Sequence, residues 1–398
     1  MRKTVVVAAK RTAVGAFGGQ FKNVSAVDLG VAVVKNIIKE TGIDPSIVDE
    51  LISGNVLGAG LGQNVARQIL INSGIPDSVT AFSVNKVCGS GMKAISLAKL
   101  MIDAGEADVI IAGGTENMSR SPYILPNERW GARMGNKTIV DTMINDGLWD
   151  IFNNYHMGIT AENLAKKYNL TRKELDEFSC QSQNRTEEAM NSGKFNDEIV
   201  PVSVPQRRKD PIIVTTDEFP KKGMTMEKLG KLRPAFKKDG VVTAGNSSGI
   251  NDGAAFLLLM SEEKANELGL KPLAELVDWA SGGVDPAIMG FGPVPSILKV
   301  MKKSGWKMNE IELAELNEAF ASQSLAVLKG LEEKDMKIST DIVNVNGGAI
   351  SIGHPIGASG ARIIVTLLHE MKRRNNKKGL ASLCIGGGMG ISTLWEMK

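Results

Sequence analysis

The feature that most constrains the fold is a pattern that occurs twice. Near the start of the chain, Ala81-Phe82-Ser83-Val84 reads as a buried strand and Ser90 to Ala104 as a helix. Asp108-Val109-Ile110-Ile111-Ala112 reads as a second buried strand, ending in Gly113-Gly114. Near the end, Ile342-Val343-Asn344-Val345 reads as a strand, Gly360 to Arg374 as a helix and Asn375 to Gly379 as a turn. Leu380 to Ile385 reads as a strand ending in Gly386-Gly387-Gly388. Short apolar runs alternating with helices of this length predict parallel strands joined by crossover helices. The same design at both ends predicts a duplicated α/β unit.

Other segments fit this frame. Thr4 to Ala9 reads as a strand. Ala26 to Thr41 carries Val27, Val31, Val34 and Ile38 at helical spacing, with Ser25 to cap its start and Gly42 to stop it. The stretch from about Ser119 to Asn246 differs: it is rich in Asn, Lys, Met and charge. It holds helices predicted at Ile159–Tyr168 and Arg172–Asn191, the second opening on Thr171 with Glu174 as a capping box. This stretch is expected to be an insertion over the α/β core.

A chain of 398 residues is long enough for two or more packed units. A formal charge of +3 gives no nucleic-acid footprint, and no apolar run reaches the roughly 18 residues of a membrane span. The first residues lack the pattern of a signal peptide, and three cysteines make no disulfide framework, so a reduced cytoplasmic setting is expected. The Cys and His spacings hold no metal-ligand pairs, so no metal is expected.

Four segments carry chemistry. Cys88 lies between a strand and a helix start, in Asn85-Lys86-Val87-Cys88-Gly89-Ser90-Gly91, where unpaired N–H groups favour a thiolate. A small buried hydrophobe is the plain alternative. His354, held between Gly353 and Pro355 before a helix, can be aimed at a thiol or can simply bond to backbone. Cys384 ends a buried strand beside a glycine run, fit either for the core or for accepting a proton from carbon. Asn317 follows the apolar strand residues Ile311, Leu313, Ala314 and Leu316, where it can hold a water or a substrate oxygen, or cap a helix. Glu318 can be a first-turn acid.

Val87-Cys88-Gly89-Ser90-Gly91, Asn317-Glu318-Ala319-Phe320, Gly353-His354-Pro355-Ile356-Gly357 and Cys384-Ile385-Gly386-Gly387-Gly388-Met389-Gly390 resemble, in order, the four active-site blocks of the thiolase family. The resemblance spans essentially the whole chain. It implies a thiolase-like layered α/β fold of two duplicated βαβαβ-type halves with an inserted loop domain. The N-terminal half would be residues 1–118 plus about 247–270, the loop domain 119–246, and the C-terminal half 271–398. By the same resemblance Cys88 attacks an acyl-CoA carbonyl and His354 activates it. Cys384 takes the α-proton of a second acetyl-CoA. Asn317 positions a water that, with His354, stabilises the enolate. The N–H groups of Cys88 and Gly386 hold the oxyanion of the acyl-enzyme.

Tyr155-His156-Met157-Gly158 resembles a segment of short-chain thiolases whose His and Met limit the acyl pocket. Acetyl-CoA, acetoacetyl-CoA and CoA are therefore the expected partners, with no permanently bound cofactor. Leu148, Ala244 and Ser248 match positions lining the pantetheine channel of relatives, and Ala319 and Phe320 are expected to join them. Residues 205–239 hold ten Lys/Arg against five Asp/Glu, a local +5 suited to CoA phosphates or simply a solvated loop. Lys221 stands where relatives often have arginine, and so lacks the bidentate fork; Lys228 stands where serine is common.

The resemblance also implies a homotetramer built as a dimer of dimers, with Ser119 to Gly135 as the assembly loop. A broader-chain degradative 3-ketoacyl-CoA thiolase and a non-catalytic acyl-CoA-binding relative are the alternatives. Decarboxylating ketoacyl synthases and hydroxymethylglutaryl-CoA synthases lack a second thiol in the role of Cys384. That thiol, close to Cys88 in a thiolase pocket, could also link to it on oxidation.

Overall fold

The computed structural model describes residues 2–398. Its main sheet contains β1 (Thr4–Thr12), β2 (Glu50–Gly54), β3 (Thr80–Val84), β4 (Val109–Asn117), β5 (Asn251–Ser261), β6 (Ala274–Gly283), β7 (Leu313–Leu316), β8 (Lys378–Ile385) and β9 (Met389–Met397). The first half runs β1-β5-β4-β2-β3 and the second β6-β9-β8-β7. Beyond β7, Val343 makes a parallel bridge to Ala314, in the place that β3 holds beside β2. Each half thus repeats one strand order, and the two join where Val5 and Val6 pair with Glu275 and Ala274. The expected duplication is present.

Helices α1 (Ala26–Thr41), α2 (Val65–Asn72), α3 (Ser90–Ala104), α4 (Gly158–Lys167), α5 (Arg172–Asn191), α6 (Pro293–Ser304), α7 (Ala321–Glu332) and α8 (Ile356–Arg374) complete the frame. The alternation of strand side chains explains the layering. Val5, Leu51, Val109, Ile111, Phe256 and Leu258 face α1 and α2. Their neighbours Val6, Ile52, Ile110, Ala112, Leu257 and Leu259 face a central layer formed by α3 and α8. The other half covers that layer with β8 and β9 and carries α6 and α7 outside. Five layers result, with α3 and α8 sealed between two sheets.

Local signals set the helix ends. The Ser25 hydroxyl accepts from Asp28 N–H, and Gly42 at φ 67° closes α1. The inward face of α1 buries Leu29, Val33, Val34 and Ile37, each contributing about 1.5–3 kcal/mol. Thr171 and Glu174 form the capping box of α5.

Three expectations change. The 80–84 strand is an edge strand with Thr80 and Ser83 exposed, so it is not buried. β4 continues through Gly113-Gly114, because an added Cβ there would overlap the Ala255 and Gly357 carbonyls; these glycines permit close approach and do not end the strand. Ile342 to Val345 form no strand. A short 3-10 turn covers Thr340–Ile342, and Asn344 sits at φ 47°. The Asn344 side chain takes over the ladder's work, accepting from Leu316 N–H at 2.8 Å and donating to the Leu316 carbonyl at 2.7 Å.

The middle segment is fastened to the core by buried charge. Arg11 on β1 meets Glu198 at 2.6 Å and Asp217 at 2.7 Å, all three shielded from solvent. Removing one partner of such a group costs about 3–5 kcal/mol.

Candidate active site

Cys88 sits on a strained turn. Val87, immediately before it, has φ 48°, a rare conformation for a β-branched residue. Ser90 holds that turn: its hydroxyl accepts from Lys86 N–H at 2.9 Å and donates to the Val87 carbonyl at 2.6 Å. The backbone N–H groups of Gly386 and of Cys88 itself favour the charged form of the sulfur. Burial nevertheless pushes the thiol up to about 11, and the charge of Glu116 adds to the rise. Burial thus opposes the thiolate that the helix start was expected to favour, more strongly than the N–H groups promote it.

His354 is held in the loop just before α8. Its N–H donates to Asn251 Oδ1 at 2.8 Å, and its Nδ1 lies 2.6 Å from Ser359 Oγ. Its Nε2 is buried without a protein partner. Burial, reinforced by the Arg362 charge, drives the imidazole down to about 3, so it is neutral at rest. The first turns of α3 and α8 press together through glycine: an added Cβ on Gly91 would crowd the Gly357 carbonyl and Ala361 N–H at 3.0 Å. This brings the loops of Cys88 and His354 to one place.

Cys384 ends β8 fully buried. Burial raises its pKa above that of a free thiol, and the nearby Cys88 raises it further. Asn317 follows β7 and is 1% exposed, with neither amide atom bonded to protein. It is no helix cap, since α7 starts only at Ala321. Glu318 is no first-turn acid either. Its carboxylate accepts from Ser182 Oγ at 2.6 Å, Asn344 Nδ2 at 2.9 Å and Ile350 N–H at 3.3 Å, fixing the loop before His354.

The expected substrate side is also brought together in part. Met157 packs on Gly386, where an added Cβ would collide with its methyl group. His156 stacks on Phe236 at 4.7 Å, and Phe236 meets Phe320 edge-on at 6.1 Å. The Leu148 carbonyl accepts from Met157 N–H at 2.9 Å, and Ser248 N–H donates to the Ala319 carbonyl at 2.9 Å. Ala244 is exposed. Lys221 is farther out: its ammonium lies over Phe219 at 5.3 Å, and Phe219 abuts Gly249. Lys228 bonds to the Gly223 carbonyl at 2.6 Å.

The family descriptions "Thiolase, N-terminal domain" and "Thiolase, C-terminal domain" match residues 4–263 and 270–397. The chain belongs to the thiolase family. A thiolase relative from Chromobacterium violaceum, named acetyl-CoA acetyltransferase, is 57% identical over 394 residues, 99% of each chain. One of the same name from Allochromatium vinosum is 56% identical over 392 residues, 98% of each. The crystal structure of the Bacillus anthracis acetyl-CoA acetyltransferase superimposes with a TM-score of 0.96 at 46% identity, covering 100% of this chain and 99% of that one. The acetyl-CoA acetyltransferase of Syntrophomonas wolfei gives 0.98 at 41% identity, with 100% of both chains covered.

Several parts of this thiolase site escaped sequence reasoning. Glu116 is a buried clamp that accepts from Asn55 Nδ2 at 2.9 Å, Val56 and Leu57 N–H at 3.1 Å and Gly357 N–H at 2.9 Å. An acid near the end of the strand opening Val109-Ile110-Ile111-Ala112 was the available signal. Ser359, five residues after His354 at the start of a helix, was a second. Asn251 and the turn at Val87 gave none, because their roles depend on distant backbone.

Proposed function

We propose that the chain is an acetyl-CoA C-acetyltransferase, condensing two acetyl-CoA reversibly to acetoacetyl-CoA and CoA through an acetyl-Cys88 intermediate. The carrying observation is that the Cys88 turn lies against the end of β8: an added Cβ on Gly386 would meet Val87 at 3.3 Å, one on Gly89 would overlap Ile385, and Val87 packs in the cluster that holds Cys384. One nucleophile, one oxyanion donor and one second thiol converge there. The similar acetyl-CoA acetyltransferases support this reading over a broader-chain or silent relative.

The protonation states suggest an order of events. His354 Nε2 takes the Cys88 proton as sulfur attacks the first acetyl-CoA carbonyl, and the Cys88 and Gly386 N–H groups hold the oxyanion. The carbon–sulfur bond to CoA breaks, and the leaving thiolate takes the Cys384 proton. The Cys384 thiolate then removes the α-proton of a second acetyl-CoA, with imidazolium and the Asn317 water stabilising the enolate. The enolate carbon bonds to the acetyl carbonyl, Cys88 thiolate departs, and His354 returns its proton. CoA thioesters are substrates, and no permanent cofactor takes part.

Met157, His156, Leu148, Ala244, Ser248, Ala319 and Phe320 are assigned to the acyl and pantetheine channel, and Lys221 to the CoA phosphates. Residues 1–118 with about 247–270, 119–246 and 271–398 are taken as the three units. A homotetramer of paired dimers is supported by the free edge of β3. The exposed apolar side chains of Tyr123, Trp130 (87% exposed) and Met134 (93% exposed) support it too. Among the described residues no helix is long and apolar enough to cross a membrane, and the cytoplasm is the proposed location. The test is thiolysis of 3-ketoacyl-CoA of increasing length. Preference for acetoacetyl-CoA is expected; equal rates with long chains would refute the short-chain reading.

A further inference from the structure

Among the described residues, twelve buried side-chain polar atoms find no protein partner, and most of them fall in one region. Eight belong to five residues: Glu315 Oε1, both amide atoms of Asn317, Ser324 Oγ, His354 Nε2 and the three guanidinium nitrogens of Arg362. His354 and Asn317 belong to the proposed chemistry. Arg362 and Glu315 do not, yet both are at most 2% exposed.

The backbone places this pair directly behind the reactive groups. Glu315 lies on β7 two residues before Asn317, which follows the strand and keeps its pairing through Asn317 N–H to the Ser382 carbonyl at 2.9 Å. Arg362 lies three residues beyond Ser359 on α8, one turn along the same face, and Ser359 holds His354 Nδ1 at 2.6 Å. Arg362 Nη1 stands 3.8 Å from Glu315 Oε2. The pair therefore spans the gap between the element carrying Asn317 and the element carrying His354.

We propose that Arg362 and Glu315 are positioning residues that, through internal water, hold His354 and Asn317 in register for carbon–carbon bond formation. This rests on the condensation reading above.

A plain structural ion pair explains the geometry poorly. At 3.8 Å with no guanidinium hydrogen bond, the pair loses hydration without the close contacts that offset it, and apolar side chains of similar size would stabilise the fold at least as well. Burial raises the Glu315 pKa to about 8 and lowers that of Arg362, so desolvation opposes the attraction within the pair. Buried donors and acceptors in one region call for a partner that can donate and accept, and water is that partner.

The test uses Glu315→Gln, nearly isosteric, with Arg362→Met and Arg362→Lys. Two rates are measured: acetylation of Cys88 by acetyl-CoA, and steady-state condensation, with thermal unfolding alongside. Condensation kcat is expected to fall at least about tenfold more than the acetylation rate, with KM within about twofold, and Arg362→Lys to recover part of the loss. Equal slowing of both steps in step with lost stability, or unchanged condensation in Glu315→Gln, would overturn the proposal. Failure of the unsubstituted protein to acetylate Cys88 would instead refute the condensation reading.

Discussion

The Ser359 hydroxyl decides which nitrogen of His354 is free for chemistry. It donates to the Pro355 carbonyl at 2.9 Å, so toward His354 Nδ1, 2.6 Å away, it acts as acceptor. Nδ1 then carries the proton, and Nε2 keeps the lone pair that can take the Cys88 proton. Ser359→Ala frees the tautomer and the ring orientation. Activity is expected to fall by about 10–100-fold, the range seen for partners that orient a catalytic or ligating histidine. Unchanged kcat in a folded variant would remove Ser359 from this role.

A pH experiment follows from the resting states. Cys88 is raised to about 11 and His354 lowered to about 3, so across neutral pH the pair is thiol and neutral imidazole. A raised thiol pKa means that the thiolate fraction grows with pH throughout that range. Alkylation of Cys88 by iodoacetamide should therefore climb by about tenfold per pH unit between about pH 7 and 9. A plateau beginning below pH 7 would reveal a thiolate–imidazolium pair instead.

Glu116 tests the scaffold. All four of its partners are donors, from Asn55, Val56, Leu57 and Gly357. Glu116→Gln turns an amide N–H₂ toward one of them and leaves donors facing each other. A loss of about 1–3 kcal/mol is expected in denaturant unfolding, with lower activity because Gly357 follows the His354 loop. Wild-type stability would show that the clamp can rearrange freely.

Met157 tests chain length. Its methyl group occupies the space above Gly386. Met157→Ala should raise the kcat/KM ratio of a six-carbon 3-ketoacyl-CoA over acetoacetyl-CoA by about 10–100-fold, as a pocket enlarged by a few carbons allows. No change in the ratio would place the limit elsewhere.

What the sequence made legible was local. Ser25, Gly42 and the Thr171–Glu174 box fixed helix ends because caps act within a few residues. The doubled strand-helix-strand pattern carried the architecture, and Cys88 and His354, each beside a glycine, stood out as candidates, while Cys384 gained its role only from the thiolase resemblance. Non-local features stayed hidden. Ile342 to Val345 has strand composition, but Asn344 substitutes its side chain for the backbone ladder. The partner of Arg362 is Glu315, 47 positions away, and no local pattern links them. At Cys88 the helix-start position is visible in sequence, while its burial to 5% exposure is not.

Trapping the intermediate tests the central claim most directly. The protein is incubated with acetyl-CoA, quenched in acid and mapped by peptide mass spectrometry, in parallel with Cys88→Ala and Cys384→Ala. A single acetyl group on the Cys88 peptide is expected in the unsubstituted protein and in Cys384→Ala. The latter should accumulate the adduct without forming acetoacetyl-CoA. An acetyl group on another residue, or condensation surviving in Cys88→Ala, would contradict the account.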